Sequence, residues 1–321
     1  MTLRRIVTGA VRGTVTLLYS DAAPGVSIVG QARFPNHLFK TTVAALERRF
    51  PTVLASRSWD NVGILLEAPH ERVEADRVLL TIDLTTAVYH EAASDPRIGA
   101  IVAYHPPIFR GLKQLTLADP KQAILLNCAA RGISVYSPHT AWDNQAAIGN
   151  ADWLAGNLGS LVAKTETIDP IQGAAQPCDD GHVHGTGRLV TLSQPEALST
   201  LVANLKANLG LQYVRVAKAI KYHENGSDHE GIRTVAICAG SGASVLTKSK
   251  ADLFLTGEMS HHEVLAAIED QTSVILCEHT NTERGFLSQV IKPYLLDEFK
   301  KAGAAYDVRC SQVDRDPLEQ A

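Results

Sequence analysis

Apolar runs typical of buried strands alternate with amphipathic segments over most of this chain. The run RVLLTID over 77–83 is followed by patterns that predict a helix over 85–94, a strand over 98–104, a helix over 121–131 and a strand over 133–137. Strands that alternate with helices in this way usually form a parallel sheet whose faces the helices cover. The pattern therefore predicts an α/β fold.

A second series of the same kind begins at Arg188. Its predicted elements are a strand from 188, a helix over 195–208, strands near 213–216 and from 234, a helix near 261–269 and a strand over 273–279. The stretch between the two series contains prolines and glycines and has no clear apolar period. We therefore predict an N-terminal extension over 1–33, a first α/β half over 34–164, a linker over 165–187 and a second α/β half over 188–321.

The bulk composition excludes several classes of protein. The net charge of -4 shows no excess of basic residues that could bind the phosphate backbone of a nucleic acid, so no direct nucleic-acid binding is expected. The five cysteines show no CxxC pairing, which favours a reducing compartment over a disulfide framework. No apolar run approaches the length of about 20 residues that a membrane-spanning helix needs.

The N-terminal segment leaves two locations open. Arg4, Arg5 and Arg12 precede the first acidic residue, Asp21, which is a feature of mitochondrial targeting peptides. A floppy extension explains the same composition. We predict a cytoplasmic protein, with mitochondrial targeting as the alternative.

Histidines and carboxylates follow the predicted strands. His139 precedes Asp143 by four residues, and His279 precedes Glu283 by the same spacing, while His105 ends a strand that Pro106 and Pro107 stop from continuing. Ligand sites in open α/β sheets lie at the carboxyl ends of strands. Imidazole and carboxylate groups together suit divalent transition metals, so this pattern predicts a metal site in a shared cleft.

Some of the same residues also have purely structural explanations. Asn281 could cap a helix that begins after it, which would place Glu283 in a first turn where the helix dipole favours a negative charge. Ser260 and Glu263 have the spacing of a capping box. The GSGAS segment from Gly240 is either a tight turn or an anion-binding turn.

Six motifs in fixed order resemble one known family. They are SWDNVGILLE from Ser58, YHPPIFRGLKQLT from Tyr104, SPHTAWD from Ser137, GTGR from Gly185, LTGEMSHHEVL from Leu255 and CEHTNTERGFL from Cys277. Together they resemble the NGG-interacting-factor-three-like family, which is also called domain of unknown function thirty-four, and the YHPP form is similar to its eukaryotic branch. The resemblance covers nearly everything from Asn36 onwards.

The resemblance implies a two-lobed α/β fold with a dinuclear metal centre in the interlobe cleft, and homo-oligomers that can form toroidal hexamers. It implies four metal ligands: His105, Asp143, His279 and the bridging carboxylate Glu283. Tyr104 stands where the bacterial pattern has a further histidine. A tyrosine is a poor ligand unless it is deprotonated, so the count of metals is one or two per chain.

A metal in such a cleft predicts hydrolysis of an ester, amide or phosphate, because it activates water. We predict a metal-dependent hydrolase of unknown substrate that uses zinc, manganese or iron. His139, Glu258 and His262 are the candidate catalytic residues, with a further metal ligand as the alternative role of His139, and Asp60 is the candidate support for a ligand. The name type 2 GTP cyclohydrolase I, which is also used for the family, is not supported by any pterin or GTP motif in these residues. The alternative is a non-catalytic metal-binding protein that interacts with transcription-related partners.

Overall fold

Two β-sheets organise the computed structural model, which describes residues 37–159, 162–171, 181–219 and 231–318. The predicted N-terminal extension over 1–33 and Cys178 lie outside these residues. The first sheet contains β1 (Gly63–Leu66), β2 (Arg77–Thr81), β3 (Ile98–Ala103), β4 (Ser134–Ser137) and β11 (Asp307–Cys310) in the order β1-β4-β3-β2-β11. Only β1 is antiparallel to its neighbour in this sheet.

The second sheet has six strands in the order β5-β6-β8-β9-β10-β7. They are β5 (Val162–Pro170), β6 (Gly185–Glu196), β7 (Arg215–Ala217), β8 (Ile232–Ser241), β9 (Leu253–Glu258) and β10 (Ser273–Leu276). β8, β9 and β10 are parallel, and the outer strands pair antiparallel. This confirms the predicted α/β class, with a mixed second sheet.

Helices connect and cover the strands. In the described residues they are α1 (His37–Arg49), α2 (Thr86–Ser94), α3 (Pro120–Ala130), α4 (Thr140–Asn144), α5 (Asn150–Gly156), α6 (Leu198–Leu209), α7 (Ala243–Leu246), α8 (His261–Glu269), α9 (Arg284–Phe286) and α10 (Lys292–Lys301). A π-helical turn over Leu287–Ile291 joins α9 to α10. Among the described residues, none of the helices has the length and apolar character that a bilayer-spanning segment needs.

Local capping explains where several helices begin. Thr85 accepts a hydrogen bond from the backbone N–H of Val88, and Asp119 accepts one from that of Gln122, so α2 and α3 begin at the following residues. The predicted capping box of Ser260 and Glu263 is present at the start of α8 and is confirmed.

An aromatic cluster ties distant parts of the chain into the core of the first sheet. Phe50 follows α1, Trp142 lies in α4 and Phe286 in α9, and their rings meet edge to face at centroid distances of 5.6–6.1 Å. All three side chains are buried. α9 and α10 therefore belong to the core of the first sheet, to which they contribute Phe286, Leu295 and Phe299.

Sheet membership does not follow the predicted boundaries of the halves. β11 lies in the predicted second half, yet it pairs in parallel with β2 of the first sheet. The predicted linker over 165–187 overlaps β5 and β6, which pair antiparallel along most of their length. Pro170 ends β5, an edge strand with exposed residues, and proline is tolerated at such a place although it obscures the strand pattern.

Candidate metal centre

Two histidines from different sheets meet at one buried carboxylate. His105 Nε2 lies 3.3 Å from Glu283 Oε2, and His279 Nε2 lies 3.5 Å from Glu283 Oε1. One ligand atom from each of the three residues lies within 4.8 Å of the others. We call His105, His279 and Glu283 the His/His/Glu group, and its donor set suits a divalent transition metal.

The backbone fixes His105 at the end of β3. The N–H of Tyr104 donates to Thr81 O at 2.9 Å, and the N–H of His105 donates to Ile82 O at 3.0 Å, so the pairing with β2 extends through the histidine. Pro106 then lacks the N–H that further pairing would need. His105 is therefore presented at the carboxyl edge of the first sheet, as predicted.

The backbone around His279 is held by a threonine and a glycine. Thr282 Oγ1 donates to His279 O at 2.7 Å and accepts from the N–H of Gly240 at 2.8 Å. Gly240 has φ +61, and a Cβ there would lie 2.8 Å from His279 Nε2 and 3.0 Å from Glu283 Oε1. Gly240, in the GSGAS segment, thus keeps open the space beside the ligand atoms.

The structural explanation for Glu283, a place in the first turn of a helix that Asn281 caps, does not hold. Its side chain is 4% exposed and faces the two histidines, and Asn281 donates its amide N–H to Cys277 O instead of capping a helix. Glu283 Oε2 is buried and has no hydrogen-bond partner among the described residues. While His105 is neutral with its proton on Nδ1, this buried carboxylate oxygen lacks a donor, which is unfavourable, so the residues fit a bound divalent cation at this position.

Each histidine of the group also contacts a second carboxylate through its other ring nitrogen, Nδ1. His105 Nδ1 lies 3.1 Å from Asp83 Oδ1, and His279 Nδ1 lies 3.0 Å from Glu258 Oε1. Because an ionised carboxylate only accepts, a neutral ring bound to one carries its proton on Nδ1, and Nε2 is then the atom that would bind a cation. Such carboxylates orient metal-binding histidines and raise their basicity.

The charges around His105 are reflected in its pKa. Burial acts to lower the pKa of His105, but the carboxylates of Glu283 and Asp83 outweigh burial and raise it to about 10. Burial acts to raise the pKa of Asp83, and the hydrogen bond and charge of His105 outweigh it and leave that pKa below its usual range. The surroundings of His105 thus strongly favour a positive charge.

His139 lies beside this group and has its own buried carboxylate. Its ring centroid is 5.4 Å from that of His105, and its Nδ1 is 2.7 Å from Asp60 Oδ1. Asp60 also accepts hydrogen bonds from Thr140. His139 has φ +33, an unusual backbone conformation that costs energy and is kept only where the surroundings enforce it.

Asp143 does not join the His/His/Glu group. Its Oδ1 accepts a hydrogen bond from the hydroxyl of Tyr104, which is completely buried and which also accepts from Asn150 Nδ2 at 3.0 Å. Burial raises the pKa of Asp143 and, with the charges of Asp143 and Glu283, that of Tyr104. The predicted fourth ligand is therefore paired with a phenol.

The other two candidate catalytic residues have different places. Glu258 contacts His279 Nδ1, so it orients a histidine. His262 is exposed in the first turn of α8, where its ring packs against that of His261 at a centroid distance of 5.3 Å. Sequence reasoning missed the role of Asp83, although a carboxylate at the end of the apolar run RVLLTID was the available signal.

Fold and site together define an α/β protein of two sheets with a histidine–carboxylate group where strands of both sheets end. Residues 38–317 match the family model described as Duf34/NIF3 (NGG1p interacting factor 3), and the chain belongs to that family, as predicted.

Relatives from several eukaryotes agree with this assignment. The chain is 48% identical to the protein NIF3 homolog of Schizosaccharomyces pombe, over 81% of this chain and 90% of the relative. It is 40% identical to NGG1-interacting factor 3 of Saccharomyces cerevisiae, over 87% and 96%, and 31% identical to human NIF3-like protein 1, over 84% and 89%.

Solved structures share the fold. A Bacillus cereus protein related to NIF3 superimposes with a TM-score of 0.73 at 19% identity, over 90% of this chain and all of the other. A Staphylococcus aureus protein gives a TM-score of 0.70 at 23% identity, over 87% and 97%.

Proposed function

We propose that this protein is a metal-dependent hydrolase that holds a divalent cation, such as zinc, manganese or iron, on His105, His279 and Glu283. The observation that carries the proposal is the buried Glu283 Oε2, which has no hydrogen-bond partner among the described residues and faces His105 Nε2 at 3.3 Å. A divalent cation there supplies Lewis acidity, which activates water and polarises a carbonyl or phosphoryl oxygen.

The surroundings support catalysis more than a sealed structural site. The side chains of His279 and Asp83 are 34% and 41% exposed, so this side of the group is open to solvent. Three protein ligands leave room for a further one, as catalytic metal sites do. An ester, an amide or a phosphate is the class of substrate that this chemistry attacks.

His139 is the residue that we assign to proton transfer. Its Nδ1 is bound to Asp60, so its Nε2 is free to accept or donate a proton near His105. Asp60 positions the ring of His139 through this hydrogen bond.

The test is the metal content of the purified protein by inductively coupled plasma mass spectrometry. Wild type is compared with His105→Ala and Glu283→Gln, and with His90→Ala and Glu269→Gln, which change the same residue types at exposed positions. We expect metal in wild type and in both controls, and its loss from both site variants with unchanged circular dichroism. Metal-free wild type after reconstitution with zinc, manganese and iron would overturn the proposal.

A second candidate is a non-catalytic metal-binding protein that interacts with transcription-related partners. It is favoured by exposed apolar residues in the segment after β3, Phe109, Leu112, Leu115 and Leu117. It is also favoured by the name of the yeast relative, NGG1-interacting factor 3. In this candidate the metal stabilises the fold or a homo-oligomer, such as a toroidal hexamer, and the outer surface binds proteins.

Light scattering after size exclusion tests the surface that this candidate needs. If the exposed segment joins copies of the chain, Leu115→Ser with Leu117→Ser lowers the mass in solution while the metal content stays unchanged. An unchanged mass would remove the segment from the oligomer interface. Val73→Ser, at a position that is 93% exposed, is the matched control.

A further inference from the structure

Tyr104 holds a position between the His/His/Glu group and Asp143. Its hydroxyl oxygen accepts from Asn150 Nδ2 at 3.0 Å, and its proton is directed to Asp143 Oδ1. The direction follows from the chemistry of Asn150, because an amide NH2 only donates, so the Tyr104 oxygen accepts from it and the Tyr104 O–H is left to donate to Asp143. One oxygen of Asp143 is therefore already satisfied without a cation.

Packing keeps the phenol in this position. The ring of Tyr104 is completely buried, and its centroid lies 5.4 Å from that of His105, 6.1 Å from that of His139 and 5.5 Å from that of Trp142. A ring surrounded in this way cannot turn aside without disturbing the core. The packing of the ring thus holds the hydroxyl at Asp143.

The dinuclear centre that the family resemblance implies fits these residues only in part. The His/His/Glu group offers three ligand atoms to one cation, with one of its oxygens unpartnered. Beside Asp143, the O–H of Tyr104 donates a hydrogen bond to the carboxylate. A second cation would instead need an atom with an available lone pair at this place. A cation and a donating proton compete for the same oxygen.

We propose that Tyr104 makes this a one-metal centre, in which the phenol O–H takes the place that a second cation would have beside Asp143. The inference rests on the proposed function, since it concerns the count of metals in that same site. Asp143 then acts as a hydrogen-bond acceptor that positions Tyr104, and it is not a ligand. The chemistry is that of a single Lewis acid, with no second cation to share a bridging oxygen.

The experiment is a titration of the metal-free protein with zinc, with the bound metal then counted by mass spectrometry. We expect one equivalent in wild type and in Asp143→Asn, and two equivalents in Tyr104→His, where an imidazole replaces the phenol. The double variant Tyr104→His/Asp143→Asn returns to one. This last result would show that the second cation in Tyr104→His depends on Asp143.

Each contrary result has a distinct meaning. Two equivalents in wild type, or loss of the single metal in Asp143→Asn, would overturn the one-metal inference and leave the hydrolase proposal intact. One equivalent in folded Tyr104→His would show that the phenol does not limit the count, and would also overturn the inference. No metal in wild type overturns the proposed function itself.

A measurement on wild type alone avoids any folding defect of the variants. Electron paramagnetic resonance of the protein saturated with manganese distinguishes isolated ions from spin-coupled pairs. We expect the hyperfine pattern of isolated ions. The spectrum of a coupled pair would show two neighbouring cations and overturn the inference.

Discussion

The rings of His105 and His279 lie 5.2 Å apart, although His105 ends a strand of the first sheet and His279 follows a strand of the second. Both direct Nε2 at Glu283. A cation bound to all three would therefore join the two sheets. Metal binding and the stability of the fold should be thermodynamically linked.

Removing the metal should lower the thermal stability of wild type. A ligand at 100 times its Kd stabilises the folded state by about 2.7 kcal/mol, which corresponds to a change of roughly 5 °C in Tm for a chain of this size. Differential scanning calorimetry with and without EDTA measures this change. Glu283→Gln is the control and should show no response to EDTA, and a wild type without response would contradict the link.

Gly240→Ala should remove the metal, because the added Cβ would lie 2.8 Å from His279 Nε2. Gly303→Ala is the matched control, since Gly303 has φ +67 and a Cβ there meets nothing within 4 Å. Both substitutions should lower the free energy of unfolding by about 1–2 kcal/mol through backbone strain. Urea denaturation measures that loss, and only Gly240→Ala should lose bound metal. Full metal content in Gly240→Ala would show that the space beside His279 is not needed.

The carboxylates that contact His105 and His279 should affect the affinity for metal, and the carboxylate that contacts His139 should not. Asp83→Asn and Glu258→Gln weaken the orientation of His105 and His279, so each should raise the Kd for zinc by about 10–100-fold. Asp60→Asn acts on His139, which we place outside the ligand set, and should leave the Kd unchanged. Isothermal titration calorimetry separates these cases. A large effect in Asp60→Asn would make His139 a ligand.

Acid should destabilise the protein through Arg77. Partial burial acts to raise the pKa of Asp95 and of Asp307, but their hydrogen bonds, including those from Arg77, hold both pKa values below the usual range. The folded state thus binds fewer protons than the unfolded state, so this stabilisation is present above about pH 4 and is lost as pH falls through the folded-state pKa values.

Replacing Arg77 tests this pH dependence. We expect Arg77→Met to lower the free energy of unfolding at pH 7 by about 1–3 kcal/mol, because Arg77 is buried between the two carboxylates. The same variant should lose less stability than wild type on acidification. Arg97→Met removes an exposed pair with Asp76 and should change little. Equal acid sensitivity in Arg77→Met and wild type would show that other carboxylates dominate.

Local patterns in the sequence were sufficient for most helices and central strands. The helix predicted over 85–94 is α2 (Thr86–Ser94), and the strand predicted over 98–104 is β3 (Ile98–Ala103), because cap residues and apolar runs are local signals. β11 was not predicted, since it is a short edge strand whose partner, β2, lies far away in the sequence. Non-local pairing leaves little trace in a local pattern.

In the candidate site, too, the positions of residues after strands were predictable from the sequence, and the contacts between distant residues were not. The positions of the histidines after strands and the family resemblance together predicted His105, Asp143, His279 and Glu283 as ligands. The structure brings His105, His279 and Glu283 together, without Asp143. The hydrogen bond from Tyr104 to Asp143, and the support from Asp83 and Glu258, depend on how strand ends meet in space. Spacing along the chain does not determine such contacts.

The late position of β11 in the sequence has a consequence during synthesis on the ribosome. Arg77 of β2 binds Asp307 of β11, 230 residues further on, and Phe286 supplies part of the first core. The first sheet therefore cannot be completed before β11 has been synthesised, although its other strands emerge early. Domains usually fold in order of synthesis, but here the first sheet must wait for residues that come more than 160 positions after β4. Nascent chains that stall before β11 would expose that edge of β2 and would be expected substrates for chaperones.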